Sequence, residues 1–217
     1  MTSVDDLTPV AQDYVKVIWS ATEWGEPPIT TKGLAARFDT TQANVSDTMR
    51  RLAAQGLVDY EPYKPVTLTA LGTHLAVAMV RRHRLIETFL ARVVGYGWDE
   101  VHEEAERLEH AASDDFLDRI DELLGHPGFD PHGDPIPTLD GGWSPPADTV
   151  RLDAAGLGAH IVVRVSDSDP ATLGRLLRLG VVPGATLVVG EEAVAVDGGR
   201  ARLRATDLDA VRVRPAS

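Results

Sequence analysis

The sequence lacks several features that would mark other classes of protein. It contains no cysteine, which excludes disulfide bonds, thiolate metal sites and cysteine nucleophiles. No run approaches the ~18 consecutive apolar residues of a membrane-spanning helix, and no basic region precedes an apolar stretch at the amino terminus. We therefore expect a cytoplasmic protein with no membrane partner. No Ser-His-Asp arrangement, phosphate-binding loop or dinucleotide fingerprint is recognisable, so we predict neither an enzyme nor a small-molecule substrate.

Basic residues are scarce relative to acidic ones. There are 21 Lys and Arg against 33 Asp and Glu, which gives a net charge of −12. Taken alone, this balance argues against nucleic-acid binding, because phosphates repel acidic surfaces. The charge is uneven, however: residues 1–82 contain eight basic and nine acidic side chains, whereas residues 83–217 contain 13 and 24. This asymmetry suggests two functions, and the acidic part could either repel DNA or hold cations.

Hydrophobic spacing predicts a mainly α-helical protein with a β carboxy-terminal domain. Residues 8–82 fit three helices followed by a hairpin, which is the order of a winged helix-turn-helix domain. Residues 70–125 are helical in pattern, and the apolar positions from Trp98 to Leu124 fit one helix. Beyond a loop region, short strands from Val150 onward, one of them from Ala201 to Leu203, with one inserted helix predict a small β-barrel.

The third predicted helix carries the candidate DNA-binding residues. Small and amide-bearing side chains at its amino-terminal end suit the major groove, and two arginines further along suit phosphates. The hairpin adds a lysine near its tip. A small helical domain used for protein contacts is the alternative. The candidates are Thr41, Gln42, Ala43, Asn44, Ser46, Asp47, Arg50, Arg51 and Lys64.

A second motif combines histidines and carboxylates at helical spacing. On one continuous helix, four residues would share a face: His102, Glu106, Glu109 and His110. The two carboxylates would repel each other there unless a cation neutralised them. His83 and Glu87 repeat the i, i+4 spacing on the preceding helix. A solvated charged face is the alternative, but the two pairs together favour a metal. Nitrogen and oxygen donors without thiolate suit Mn²⁺ or Fe²⁺ better than structural zinc.

These stretches resemble the diphtheria toxin repressor family of metal-dependent repressors, and within it the three-domain manganese transport regulators. The resemblance rests on residues 13–19, 44–52, 82–87, 102–110 with 113–114, and 131–137. Residues 176–184 resemble the SH3-like, iron-transport-associated domain of that family. The match covers nearly the whole chain.

The resemblance implies two metal sites in each subunit. The first would be built from Asp13, Glu106, Glu109 and His110. The second would be built from His83, Glu87, His102 and a ligand from the third domain, which by position is Asp167. Asp130 and His132 lie in a loop that supplies further ligands in some manganese-responsive relatives, so they are candidates for a variant or third site.

Departures from the relatives bear on the choice of metal. Iron-responsive members place Met at the position of Asp13 and Cys at the position of Glu106, and carboxylates there favour the harder Mn²⁺. The short manganese regulators carry a Glu ligand at the position of Lys16. A lysine there argues against their closely spaced binuclear site.

We therefore predict a homodimeric, Mn²⁺-activated repressor that binds a double-stranded DNA operator and controls metal-uptake and homeostasis genes. Fe²⁺ is the alternative cofactor, and Co²⁺ or other divalent ions are expected surrogates. The expected domains are a winged helix at 1–74, a helical dimerisation and metal domain at 75–142, a linker at 143–151 and an SH3-like barrel at 152–217. The dimer is expected because the wide apolar stripe between Trp98 and Leu124 suits a second copy. The alternatives are an iron-dependent repressor of the same fold and a carboxylate/histidine metalloenzyme in a helical bundle.

Overall fold

The computed structural model describes residues 3–191, 193–196 and 199–216. Its chain forms two compact units. The first unit comprises Met1–His83, Glu109–Ala111 and Pro137–Trp143, and the second comprises Arg84–Leu108, Ala112–Ile136 and Ser144–Ser217. Across the described residues, every helix is too short or too polar to cross a membrane.

The first unit contains the winged helix-turn-helix that the sequence predicts. A 3₁₀ turn at Val4–Asp6 precedes three helices: α1 (Pro9–Ser20), α2 (Thr31–Arg37) and α3 (Gln42–Ala54). Each helix begins after a threonine, Thr8, Thr30 or Thr41, whose hydroxyl accepts a hydrogen bond from a backbone N–H of the first turn. The antiparallel hairpin β1 (Val58–Asp59) and β2 (Thr67–Leu68) comes next, and then α4 begins at Ala70.

Apolar side chains from all of these elements form the core of the first unit. The fully buried members include Val15 of α1, Leu34 of α2, Val45 and Met49 of α3, and Val66 beside the hairpin. This core fixes α1 and α3 relative to each other. Residues on the outer side of α3 are left exposed by it.

The helical part of the second unit differs from the predicted single helix at Trp98 to Leu124. Helix α4 (Ala70–Phe89) ends in a π-helical turn, Leu90–Val94, and is followed by α5 (Val101–Leu108) and α6 (Asp114–Leu124). The prediction of one helix is therefore wrong. A new helix begins at α6 because the Ser113 hydroxyl accepts from the Phe116 N–H and two aspartates occupy the first turn. Consequently Glu109 and His110 lie in the turn after α5, not on the helical face of His102 and Glu106.

The carboxy-terminal part is an antiparallel six-stranded sheet, and this confirms the predicted β domain with its SH3-like fold. Its strands are β3 (Val150–Arg151), β4 (Gly158–Val165), β5 (Thr186–Val189), β6 (Val194–Val196), β7 (Gly199–Ala201) and β8 (Val211–Pro215), in the order β3-β8-β4-β5-β6-β7. Two helices, α7 (Pro170–Arg178) and α8 (Ala205–Ala210), and a 3₁₀ turn at Leu152–Ala154 complete it.

Two details of this domain differ from the sequence prediction. The strand expected from Ala201 to Leu203 lies earlier, at Gly199–Ala201, and pairs with β6. The pattern of the sequence also does not predict the short helix α8. Its Asp207 is fully buried, accepts from the Arg204 N–H and pairs with Arg175. Six residues are too few for a periodic pattern to show in the sequence.

Candidate metal centres

The first cluster of donor atoms consists of Asp13, Glu109 and His110. Asp13 lies on α1, and the other two lie in the turn after α5. One ligand atom from each residue lies within 4.8 Å of the other two. His110 Nε2 is 3.1 Å from Asp13 Oδ1. The structure thus brings together three of the four residues assigned by resemblance to the first site.

The carboxylate of Glu109 is the buried centre of this cluster. Its side chain has no exposed surface. One oxygen pairs with the ammonium of Lys16, and the other lies 2.5 Å from Nδ1 of His83. Burial raises the pKa of Glu109, but the charge and hydrogen bonds of His83 and Lys16 outweigh burial and hold the pKa below its usual value. Glu109 is therefore an ionised carboxylate whose charge the protein itself compensates.

The second cluster consists of Glu87 on α4, His102 on α5 and Asp167 in the loop after β4. Nδ1 of His102 is 3.2 Å from Glu87 Oε1 and 3.0 Å from Asp167 Oδ2. Burial lowers the pKa of His102, but the two carboxylates outweigh burial and raise it to about 11. The same contact outweighs burial at Asp167 and lowers the pKa of that carboxyl. A proton on His102 thus occupies the point at which these donors converge.

Two other assigned residues lie near members of these clusters. Glu106 lies one turn after His102 on α5, with Oε1 3.7 Å from His102 Nε2. His83 lies one turn before Glu87 on α4, and its ring contacts Glu109.

The loop that contains Asp130 and His132 adds donors beside Glu87. Ligand atoms of these three buried residues lie within 4.8 Å of one another. His132 Nε2 is 2.9 Å from the Trp98 carbonyl oxygen, so Nε2 carries the hydrogen. Its Nδ1 is buried, accepts no hydrogen bond within the described residues, and lies 3.9 Å from Glu87 Oε2.

Asp130 also shapes the loop itself. Its Oδ1 accepts from the backbone N–H groups of His132 and Asp134, each at 2.9 Å, and its Oδ2 lies 3.6 Å from Arg84 Nε. Burial, and then the charges of Asp134 and Glu87, raise the pKa of Asp130 to about 8. Asp130 thus shapes the turn with one carboxylate oxygen and lies beside Arg84 with the other.

Both clusters fit a divalent cation. In each, an imidazole nitrogen and carboxylate oxygens converge, and lone pairs at such distances require a proton or a metal between them. His132 donates one ring N–H to a carbonyl and directs the other nitrogen toward a carboxylate, which is the usual arrangement of a metal-ligating histidine. The donors are carboxylate and imidazole, which suit Mn²⁺ and Fe²⁺.

Most of the candidate DNA-binding residues lie on the exposed side of α3. The Thr41 hydroxyl caps the helix by accepting from Asn44 N, and Arg50 pairs with Asp47. Lys64 lies near the tip of the β1–β2 hairpin. Ser46 is half-buried, whereas the other eight candidates are exposed: Thr41, Gln42, Ala43, Asn44, Asp47, Arg50, Arg51 and Lys64.

Sequence reasoning misses two residues of the first cluster's surroundings. It draws attention to the position of Lys16 but does not identify Lys16 as the partner of Glu109, and it gives no sign of Gln12. Gln12 accepts a hydrogen bond from His110, with 2.7 Å between Oε1 and Nδ1. Glutamine at helical spacing gives no signal in a sequence, so only its position next to Asp13 could have drawn attention to it.

Three known domain families match consecutive parts of the chain. Residues 6–66 match the iron dependent repressor, N-terminal DNA binding domain. Residues 69–138 match the iron dependent repressor, metal binding and dimerisation domain, and residues 150–215 match the FeoA domain.

Several known proteins are similar in sequence to this chain over most of its length. The iron-dependent repressor IdeR of Mycobacterium leprae is 34% identical over 198 residues, which cover 86% of each chain. The chain belongs to the diphtheria toxin repressor family. The diphtheria toxin repressor of Corynebacterium jeikeium is 36% identical over 135 residues, 62% of this chain and 56% of that protein. A solved manganese-dependent transcriptional repressor in complex with manganese is 44% identical, with a TM-score of 0.89 over 95% of this chain and 100% of that one.

Family membership makes this chain a metal-dependent transcriptional repressor, with a DNA-binding domain followed by a dimerisation domain. The predicted fold is confirmed. The assignment of individual ligands and DNA contacts stays a prediction, as do the domain boundaries.

Proposed function

We propose that this repressor is activated by Mn²⁺ and controls genes of metal uptake and homeostasis. The observation that carries the proposal is the chemistry of the first cluster, in which Asp13, Glu109 and His110 supply only oxygen and nitrogen donors. Hard carboxylate oxygens suit Mn²⁺, whereas sulfur donors favour softer ions. The similar manganese-bound repressor supports the same choice.

The proposed ligands correspond to the two clusters. Asp13, Glu109 and His110 form the first site, and by family resemblance Glu106 is its fourth expected ligand. Glu87, His102 and Asp167 form the second site, to which the resemblance adds His83. Asp130 and His132 are further ligands beside Glu87. A bound cation would draw these donors together and neutralise them.

The first site is the one through which metal acts on the DNA-binding domain. Asp13 lies on α1, whose core contacts also hold α3, whereas Glu109 and His110 lie in the turn after α5. A metal that binds all three fixes α1 to that turn. If this arrangement is the one that binds DNA, metal and operator each raise the affinity for the other by the same factor, typically ~5–150-fold.

Exposed apolar residues support a homodimer. In the second unit, Phe116 and Leu123 of α6 are 45% and 64% exposed, and Val93 and Val94 of the π-helical turn are also exposed. Phe116 and Leu123 are seven residues apart and therefore share one face of α6, and exposed apolar residues on one face are typical of an interface. A two-fold dimer would present two copies of α3 to a pseudo-palindromic operator, with the exposed α3 residues and Lys64 as the DNA contacts.

The decisive experiment is operator binding by the full-length protein, measured by fluorescence anisotropy under anaerobic conditions. Mn²⁺ and Fe²⁺ are titrated separately, with a chelated sample as the control. We expect activation by Mn²⁺ at lower free concentration than by Fe²⁺. Activation by Fe²⁺ at the lower concentration would instead support an iron-dependent repressor, the second candidate, which the similarity to IdeR favours. No metal effect on operator binding would contradict both.

A further inference from the structure

Gln12 is a buried polar residue of α1 that makes three hydrogen bonds around the first cluster. Its side chain is only 3% exposed. Its amide Nε2 lies 2.9 Å from the carbonyl oxygen of Val4 and 3.3 Å from that of Leu7, and its Oε1 lies 2.7 Å from His110 Nδ1. It therefore joins the segment before α1 to a proposed metal ligand.

These contacts fix which way the Gln12 amide points. Backbone carbonyl oxygens only accept hydrogen bonds, so the group that faces Val4 and Leu7 is the NH₂. The oxygen must then face His110, and it accepts from Nδ1. The neutral His110 ring consequently carries its hydrogen on Nδ1 and has a lone pair on Nε2. That is the nitrogen that lies 3.1 Å from Asp13 Oδ1.

We propose that Gln12 is a positioning residue for the first metal site. It holds His110 in the tautomer that offers Nε2 to the metal, and it ties the segment Val4–Leu7 to the same ring. The proposal rests on the proposed function in one respect, namely that His110 is a ligand. Partners of this kind orient metal-binding histidines, and their loss typically costs ~10–100-fold in metal affinity.

The segment that Gln12 holds is linked to the first unit in a second way. Asp5, in the 3₁₀ turn Val4–Asp6, pairs with Arg82 of α4 at 3.1 Å. Thr8, directly after the segment, caps α1. Gln12 thus connects the ring of His110 to the start of the helix that carries Asp13, so a shift of that ring on metal binding is transmitted to the first turn of α1.

Two substitutions separate the two halves of this role. Gln12→Met keeps the length of the side chain but removes both the acceptor and the donor. Gln12→Glu keeps an acceptor for His110 Nδ1 and removes the donations to Val4 and Leu7. We expect Gln12→Met to lose ~10–100-fold in Mn²⁺ affinity by calorimetry, and Gln12→Glu to lose less than ~10-fold. In both variants, amide exchange of residues 4–8 should accelerate. Gln55→Met, at the exposed end of α3, is the matched control and should leave both quantities unchanged.

The tautomer of His110 gives a readout that needs no metal. In ¹⁵N NMR spectra of the metal-free protein, at a pH where the ring is neutral, we expect the hydrogen on Nδ1 in the wild type and in Gln12→Glu. We expect it mainly on Nε2 in Gln12→Met. Hydrogen on Nε2 in the wild type, or an unchanged tautomer together with unchanged Mn²⁺ affinity in Gln12→Met, would overturn the assignment. Failure of the proposed function would look different, because Mn²⁺ affinity would then be insensitive to His110→Ala while the tautomer still responded to Gln12.

Discussion

The two clusters use the same donor types, yet the protein compensates their negative charge differently. In the first, the buried carboxylate of Glu109 meets the ammonium of Lys16 and the ring of His83. In the second, Glu87 and Asp167 converge on His102, and this contact outweighs burial to raise the pKa of His102 to about 11. A metal that bound at the first cluster would therefore displace or rearrange a lysine, whereas a metal that bound at the second would displace a proton.

This difference indicates a division of roles. The first cluster includes Asp13 of α1, so under the proposed function a metal bound there would act directly on the DNA-binding domain. The second includes Asp167, in the loop after β4 of the barrel, so its occupancy bears on the second unit. Metal affinity depends strongly on pH at a site where the metal competes with a proton, and far less at a site where the metal competes with an ammonium.

The largest expected effect comes from removing one histidine from each cluster in turn. His110→Ala should abolish Mn²⁺-dependent operator binding, a loss greater than the ~10–100-fold expected for an outer partner, because it removes a proposed direct ligand. His102→Ala should weaken activation without abolishing it. Both are measured by operator anisotropy against free Mn²⁺, with circular dichroism to confirm folding. Equal losses in the two variants would show that the two clusters do not differ in their effect on operator binding.

The next largest expected effect concerns how Mn²⁺ affinity changes with pH. Below pH 8, His102 and Asp130 both hold protons that Mn²⁺ must displace, since their pKa values are raised to about 11 and about 8. Mn²⁺ affinity at the second cluster should therefore rise with pH, by about tenfold per pH unit for each proton released. His110→Ala isolates the second cluster and His102→Ala the first.

Calorimetry in buffers of different ionisation enthalpy counts the released protons. We expect at least one proton per Mn²⁺ in His110→Ala and fewer in His102→Ala, measured from pH 6 to pH 8. An affinity in His110→Ala that is flat with pH would show that the metal does not displace the proton of His102.

A smaller effect concerns the choice of metal. Asp13→Met replaces a hard carboxylate with a soft thioether, so the preference for Mn²⁺ over Fe²⁺, Co²⁺ and Ni²⁺ should fall by roughly tenfold. Asp167→Met makes the same exchange in the second cluster and should change the activation order less. The readout is the free metal concentration at half-maximal operator binding. An unchanged order in Asp13→Met would show that Asp13 is not a ligand.

The sequence predicts the fold well where local signals agree, as in the capped helices of the first unit. It fails at the end of α5, because residues 102–113 contain neither Gly nor Pro and are rich in helix-forming Ala, Glu and Leu. Tertiary contacts hold the turn after α5: Glu109 pairs with Lys16 and His83, and His110 with Gln12. The donor types therefore follow from the residues themselves, whereas their division into two sites follows only from the family resemblance, since it depends on contacts between residues up to 98 positions apart.

The smallest expected effect tests how Lys16 compensates the charge of Glu109. Here the substitution should raise Mn²⁺ affinity, whereas the preceding ligand substitutions lower it. Lys16→Met removes an ammonium that competes with Mn²⁺ for the same carboxylate while keeping the apolar part of the side chain. Mn²⁺ affinity at the first cluster should rise by about three- to tenfold, because the carboxylate is left with an uncompensated share of its charge. The metal-free protein should melt at a lower temperature for the same reason, so Mn²⁺ should raise the melting temperature more than in the wild type.

Lys32→Met, at an exposed position of α2, is the matched control. Calorimetry in the His102→Ala background isolates the first cluster. A lower Mn²⁺ affinity in Lys16→Met would mean that Lys16 orients Glu109 for the metal instead of competing with it, and the two clusters would then differ in geometry but not in the way a cation enters.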